Sequence, residues 1–206
     1  GQSIESVDPG GVISKAIDSS RIIGCVVYPS TVIVEPGMIK HIEGNRFSIG
    51  ELDGTSSDRC KRLAAALIGA GLRAPVRGHI RHDMWVKLLG NVVFNPMSAL
   101  TGATLVDMVT HPETSAVVQA VMAEADAVAE GLGVRLPLTI EQRMEGAKKV
   151  GAHKTSMLQD LEAGRPMELE SVVGVVIELG EKLGLPMPHT KTLYSCARLL
   201  GQVRAQ

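Results

Sequence analysis

Three polar residues interrupt an otherwise apolar stretch, Met84 to Leu100 (MWVKLLGNVVFNPMSAL), at intervals of four: Lys87, Asn91 and Asn95. Positions four apart lie on one face of an α-helix. The stretch therefore predicts a mostly buried helix with one stripe bearing an ammonium group and two carboxamides. An ammonium is a proton donor and a compact positive charge, and carboxamides both donate and accept hydrogen bonds without adding charge. A solvated face would carry mixed Glu, Lys and Arg rather than asparagines between Val and Phe. Buried without partners, each asparagine would cost about 1–3 kcal/mol. Either neighbouring backbone or a small polar ligand must satisfy them, and the spacing favours the ligand. Pro96 is expected to kink or end the helix near Gly90 to Asn95.

A second group lies in Gly151 to Glu170 (GAHKTSMLQDLEAGRPMELE). Ser156 precedes a short amphipathic helix and is a candidate N-cap. Glu168 opens the helix after Gly164-Arg165-Pro166-Met167, where the helix dipole favours a carboxylate. Glu168 and Glu170 are equally consistent with ordinary helix-start chemistry.

The elements that position these residues change character near residue 80. Before it, short β-branched runs are predicted as strands at Arg21 to Tyr28, Thr31 to Val34, Met38 to Glu43 and Arg46 to Glu51. Turn signals at Pro29, Pro36-Gly37 and Gly44-Asn45 separate them. A helix is expected at Ser57 to Gly71, with Cys60, Leu63, Ala64, Leu67 and Ile68 on one face, followed by an extended piece, Leu72 to Val76. Beyond it helices are expected at Arg81 to Leu100, Ala103 to Val109, Pro112 to Leu132, Thr139 to Val150, Met157 to Ala163, Glu168 to Leu183 and His189 to Val203. The fold class is an α/β remnant, the end of a Rossmann-type nucleotide-binding domain, over 1–80, followed by an all-α domain for substrate binding and dimerisation over 81–206.

Composition narrows the function. The chain has 206 residues, 45% of them hydrophobic, and a formal net charge of -1. It has no basic field for nucleic acid, and 1 Trp, 2 Tyr and 2 Phe make no base-stacking platform. Cys25, Cys60 and Cys196 are far apart, which speaks for a reducing compartment, and the scattered histidines form no metal-binding pair. No apolar run is long enough to span a bilayer and no signal peptide is recognised, so a cytoplasmic protein is expected.

WVKLLGN with VVFNPMSALTG resembles the start of the C-terminal domain of ketopantoate reductases (2-dehydropantoate 2-reductases). KTSMLQDLEAGRPMELESVVG resembles that family's second signature, and GLPMPHTKTLY the segment leading into its final helix. ESVDPGGVI and PGMIKHIEGNRFSIGE look like the stretch between its nucleotide-binding core and its helical domain. The resemblance implies NADPH-dependent reduction of ketopantoate to pantoate, in pantothenate biosynthesis, with NADP as cofactor and a homodimer through the helical domain. It implies that Lys87 is the general acid and that Asn91 and Asn95 line the substrate pocket. Ser156 would contact the substrate carboxylate, and Glu168 would bind the substrate hydroxyl and position the lysine. The family's GxGxxG fingerprint and QNG-type asparagine are absent, so cofactor-binding residues are unassigned and the chain is expected to be a C-terminal fragment. Two other readings stand beside this one: a related reductase of another α-keto acid, and a non-catalytic helical dimerisation module using faces such as Thr114 to Leu132 and Glu168 to Leu183.

Overall fold

A computed structural model describes residues 3–204, which divide into two compact units. Ile17–Met84 forms one; the residues before it, with those from Trp85 onward, form the other.

In the Ile17–Met84 unit, β1 (Gly24–Val27) pairs antiparallel with β4 (Phe47–Gly50). Between them β2 (Ser30–Glu35) and β3 (Met38–Glu43) form a hairpin around Pro36-Gly37. The extended piece after the helix joins through isolated parallel bridges, Arg46 to Arg73 and Ile49 to Val76. α2 (Asp58–Gly69) is capped by Ser57, whose hydroxyl accepts the Cys60 N–H. Cys60 and Ala64 are buried and Leu67 half-buried, but Leu63 and Ile68 are exposed, so the apolar face is narrower than expected. The reason is the size of what α2 covers: the core of this unit is Ile49, Ala64 and Ala74, flanked by Ile23 and Leu67.

The second unit is helical. It contains most of α3 (Ile80–Thr101), then α4 (Leu105–Thr110), α5 (Pro112–Gly131), α6 (Ile140–Val150) and α7 (Ser156–Glu162). A π-helical turn, Glu170–Gly174, runs into α8 (Val175–Lys182), and α9 (Pro188–Arg204) follows. α5 lies at the centre, packed by α4, α6, α8 and α9. Its Val118, Val121, Met122, Ala125, Val128 and Ala129 recur at helical spacing and are completely shielded. Thr114 to Leu132 therefore does not offer its main apolar face to a second copy, because neighbouring helices already cover it. Thr139 with Gln142 and Thr104 with Asp107 start α6 and α4 by reciprocal capping. The Glu124 carboxylate starts α9, accepting the backbone N–H groups of His189 and Thr190 at 2.9 and 2.8 Å.

Two expectations are corrected here. α3 does not end near Gly90 to Asn95 but continues through Pro96 to Thr101. Burial of Val92, Val93, Phe94, Met97 and Ala99 on both sides of the proline outweighs the roughly 3 kcal/mol that a proline costs inside a helix. Also, the amino-terminal segment clusters with the helical unit rather than with the strands. The Glu178 carboxylate accepts the N–H groups of Glu5 and Ser6 at 3.0 and 2.8 Å and the Ser6 hydroxyl, while Lys182 reaches the Ser3 carbonyl.

Candidate substrate-binding site

α3 carries the polar stripe as its spacing requires. Lys87 is exposed, Asn91 half-buried and Asn95 buried, with Trp85, Leu89, Val92 and Val93 enclosed on the other sides of the helix. Each four-residue step advances about 6 Å along the axis, so the stripe runs from solvent at the ammonium into the interior at Asn95. Among the described residues no protein group is hydrogen-bonded to either carboxamide, yet no fully enclosed side-chain polar atom lacks a partner. The amides of Asn91 and Asn95 thus satisfy themselves through contact with solvent, which leaves their donors and acceptors open to a ligand.

A short chain of hydroxyls joins this helix to the second group. Ser98 Oγ donates to the Asn95 carbonyl at 2.9 Å and lies 2.5 Å from Thr155 Oγ1. Because the Ser98 proton is already engaged, Thr155 donates to Ser98, and its oxygen accepts the Leu158 N–H at 3.3 Å. Thr155, not Ser156, is therefore the N-cap of α7. Its extended backbone and buried hydroxyl suit the cap, and Ser156 becomes the first helical residue with an exposed side chain. The Ser156 hydroxyl is thereby spared for other partners.

Glu168 lies just before the helical start at Leu169 rather than opening the helix, and it is exposed. Its carbonyl accepts the Val172 N–H at 3.2 Å and the Ser171 hydroxyl at 3.3 Å. Glu170 is committed elsewhere: its carboxylate accepts from the Tyr194 hydroxyl at 2.6 Å. Burial, then this bond to Glu170, raises the Tyr194 pKa. Gly174 makes room for that arrangement, since a Cβ there would lie 2.7 Å from Glu170 Oε2. Of the two glutamates in MELE, Glu170 is thus the one that Tyr194 engages.

One residue that spacing does not reveal stands against the same helix. The Arg143 side chain of α6 lies on Gly90, where a Cβ would meet Nη2 at 2.0 Å, and over the Phe94 ring at 5.6 Å from its centroid. Burial lowers its pKa, although a guanidinium stays charged at any ordinary pH.

The model for "Ketopantoate reductase PanE/ApbA C terminal" matches residues 79–201. The chain belongs to the ketopantoate reductase family. A 2-dehydropantoate 2-reductase of Mesorhizobium japonicum is 48% identical over 204 residues, covering 99% of this chain and 63% of that protein. A protein of Ralstonia solanacearum MolK2 assigned as a ketopantoate reductase superposes with a TM-score of 0.94 at 40% identity, over 100% of this chain and 63% of the other. The 2-dehydropantoate 2-reductase of Methylococcus capsulatus superposes with a TM-score of 0.86 at 32% identity, over 94% of this chain and 67% of the other. The chain thus spans 63% of the length of the Mesorhizobium relative. The matched region contains the whole α3 stripe, Ser156 and Glu168. No helix among the described residues is long and apolar enough to cross a membrane.

Proposed function

We propose that this chain is the substrate-holding part of an NADPH-dependent 2-dehydropantoate 2-reductase, which reduces the ketone of 2-dehydropantoate to the hydroxyl of pantoate. The observation that carries this reading is the α3 stripe: a lysine followed by two solvent-accessible carboxamides in an apolar setting, on a chain whose relatives bear that name. Reduction of a ketone requires a hydride and a proton, and the proton is the share that these residues supply. Lys87 donates it to the developing alkoxide and stabilises the negative charge there. Asn91 and Asn95 hold the polar groups of the substrate, Ser156 donates to its carboxylate, and Glu168 accepts from its hydroxyl. The nicotinamide supplies the hydride when bound. Among the described residues there is no glycine-rich turn between a parallel strand and a helix N-terminus, the cradle that a dinucleotide pyrophosphate needs. The described residues do not by themselves fit the cofactor.

The test is NADPH oxidation by the full-length protein with a panel of α-keto acids. Turnover with 2-dehydropantoate well above that with the others supports the proposal. Preference for a different α-keto acid replaces the substrate, and no turnover with any of them overturns it.

A further inference from the structure

We propose that Arg143 binds the carboxylate of the substrate, supplying a second positive charge beside that of Lys87. The inference rests on the reading of α3 as the substrate face and adds a specificity residue to it. Lys87, Gly90, Asn91 and Phe94 are offset by three, four and seven positions, so they share a face of α3. Arg143 comes to that face from another helix, fifty-three positions later in sequence. Its guanidinium occupies the notch at Gly90, where even a methyl group would collide with Nη2 and Cζ at 2.0 and 2.7 Å. Phe94, one turn on, offers its ring to the cation at 5.6 Å.

What the guanidinium does not have is an acid. Arg59, Arg77 and Arg165 each form an ion pair with a carboxylate, but among the described residues none pairs with Arg143. Its neighbours in α6, Glu141 and Glu145, are two positions away on either side and so point to other faces. Glu141 is engaged with its own helix start, at Thr139 and its own backbone. A partly buried cation is held at a cost unless an anion meets it. The fork of a guanidinium suits a carboxylate, because two parallel N–H groups match two oxygens. In an α-keto acid the carboxylate is bonded directly to the ketone carbon. An acid with its ketone oxygen at Lys87 therefore has its carboxylate within about one helical turn of the ammonium, a span that reaches Gly90 and the guanidinium lying on it.

The experiment is calorimetric titration of the full-length protein with 2-dehydropantoate and with its neutral amide. The wild type is expected to bind the acid more tightly than the amide. Arg143→Gln should weaken the acid by about 10- to 100-fold, the worth of a charge-assisted hydrogen bond, and leave the amide unchanged. Arg143→Lys keeps charge without the fork and should fall between. Should Arg143→Gln fail to fold, the wild type still decides the matter: the guanidinium ¹⁵N–H resonance of Arg143, assigned by its loss in Arg143→Lys, should shift with the acid and not with the amide. Equal affinity for acid and amide in the wild type, or an unmoved Arg143 resonance, overturns the inference. The turnover assay separates the two proposals. A protein that reduces 2-dehydropantoate but is indifferent to the carboxylate loses only Arg143, whereas one that binds the acid through Arg143 and reduces no keto acid loses only the reductase reading.

Discussion

In the helical unit, α5 is enclosed by its neighbours, and Val118, Val121 and Met122 are shielded completely. In the strand unit, the β2–β3 hairpin leaves Ile33, Met38, Ile39 and Ile42 between 51% and 77% exposed. The strand unit has few buried apolar side chains and relies on polar clamps. The buried Glu51 is held by Arg59 at 2.5 Å and by the Ser57 hydroxyl, and these bonds draw its pKa down to about 2. Every residue assigned here to the substrate lies in the helical unit. The contrast teaches that the proposed site draws its residues from the densely packed unit rather than from the thinly packed one.

The largest effect expected from this contrast is at its centre. Met122→Ala should lower stability by about 2–5 kcal/mol, read from denaturant unfolding, because α5 has no freedom to collapse into the space left. A loss below 1 kcal/mol would mean that the helical unit is not the rigid frame described. Next is the amino-terminal segment, tied to α8 by Glu178. Burial would raise the pKa of Glu178, but hydrogen bonds from Lys182, the Ser6 hydroxyl and the N–H groups of Ser6 and Glu5 bring it down to about 2. A carboxyl whose folded pKa lies below its ordinary value of 4.5 stabilises the docked segment fully above that value, and the contribution is lost as pH falls toward 2. At pH 7, Glu178→Gln should speed hydrogen exchange at the Glu5 and Ser6 amides relative to wild type while leaving α5 protected. Unchanged exchange there would remove Glu178 as the anchor. Smallest is the hairpin: Ile39→Ala should alter stability by no more than about 0.5 kcal/mol. A larger loss would show that the exposed hairpin packs against something in solution and would erase the contrast.

Much of this was legible in the sequence because helical spacing is a strong signal. The run of apolar residues in Pro112–Gly131 and the stripe at Lys87, Asn91 and Asn95 are both legible from spacing alone. What escaped depends on contacts between distant segments. Thr155 and Ser156 are adjacent hydroxyls, and only the bond from Thr155 to Ser98 makes the first the cap and spares the second. Glu168 and Glu170 are indistinguishable until Tyr194 takes one of them. Leu63 and Ile68 share the apolar side of α2, but that side overhangs a sheet too small to cover it. The notch at Gly90 has no meaning until Arg143 arrives to fill it. Pro96 marks the limit of local rules, since burial around it overrides its tendency to stop a helix.

The central claim is that the α3 stripe presents a proton donor and two carboxamides to an α-keto acid. The most direct measurement is steady-state turnover of Lys87→Ala in the full-length enzyme, beside a melting curve showing that it folds. The account predicts a loss in kcat of at least about 100-fold, the lower end of what a positioned acid contributes. Turnover close to that of the wild type would contradict it.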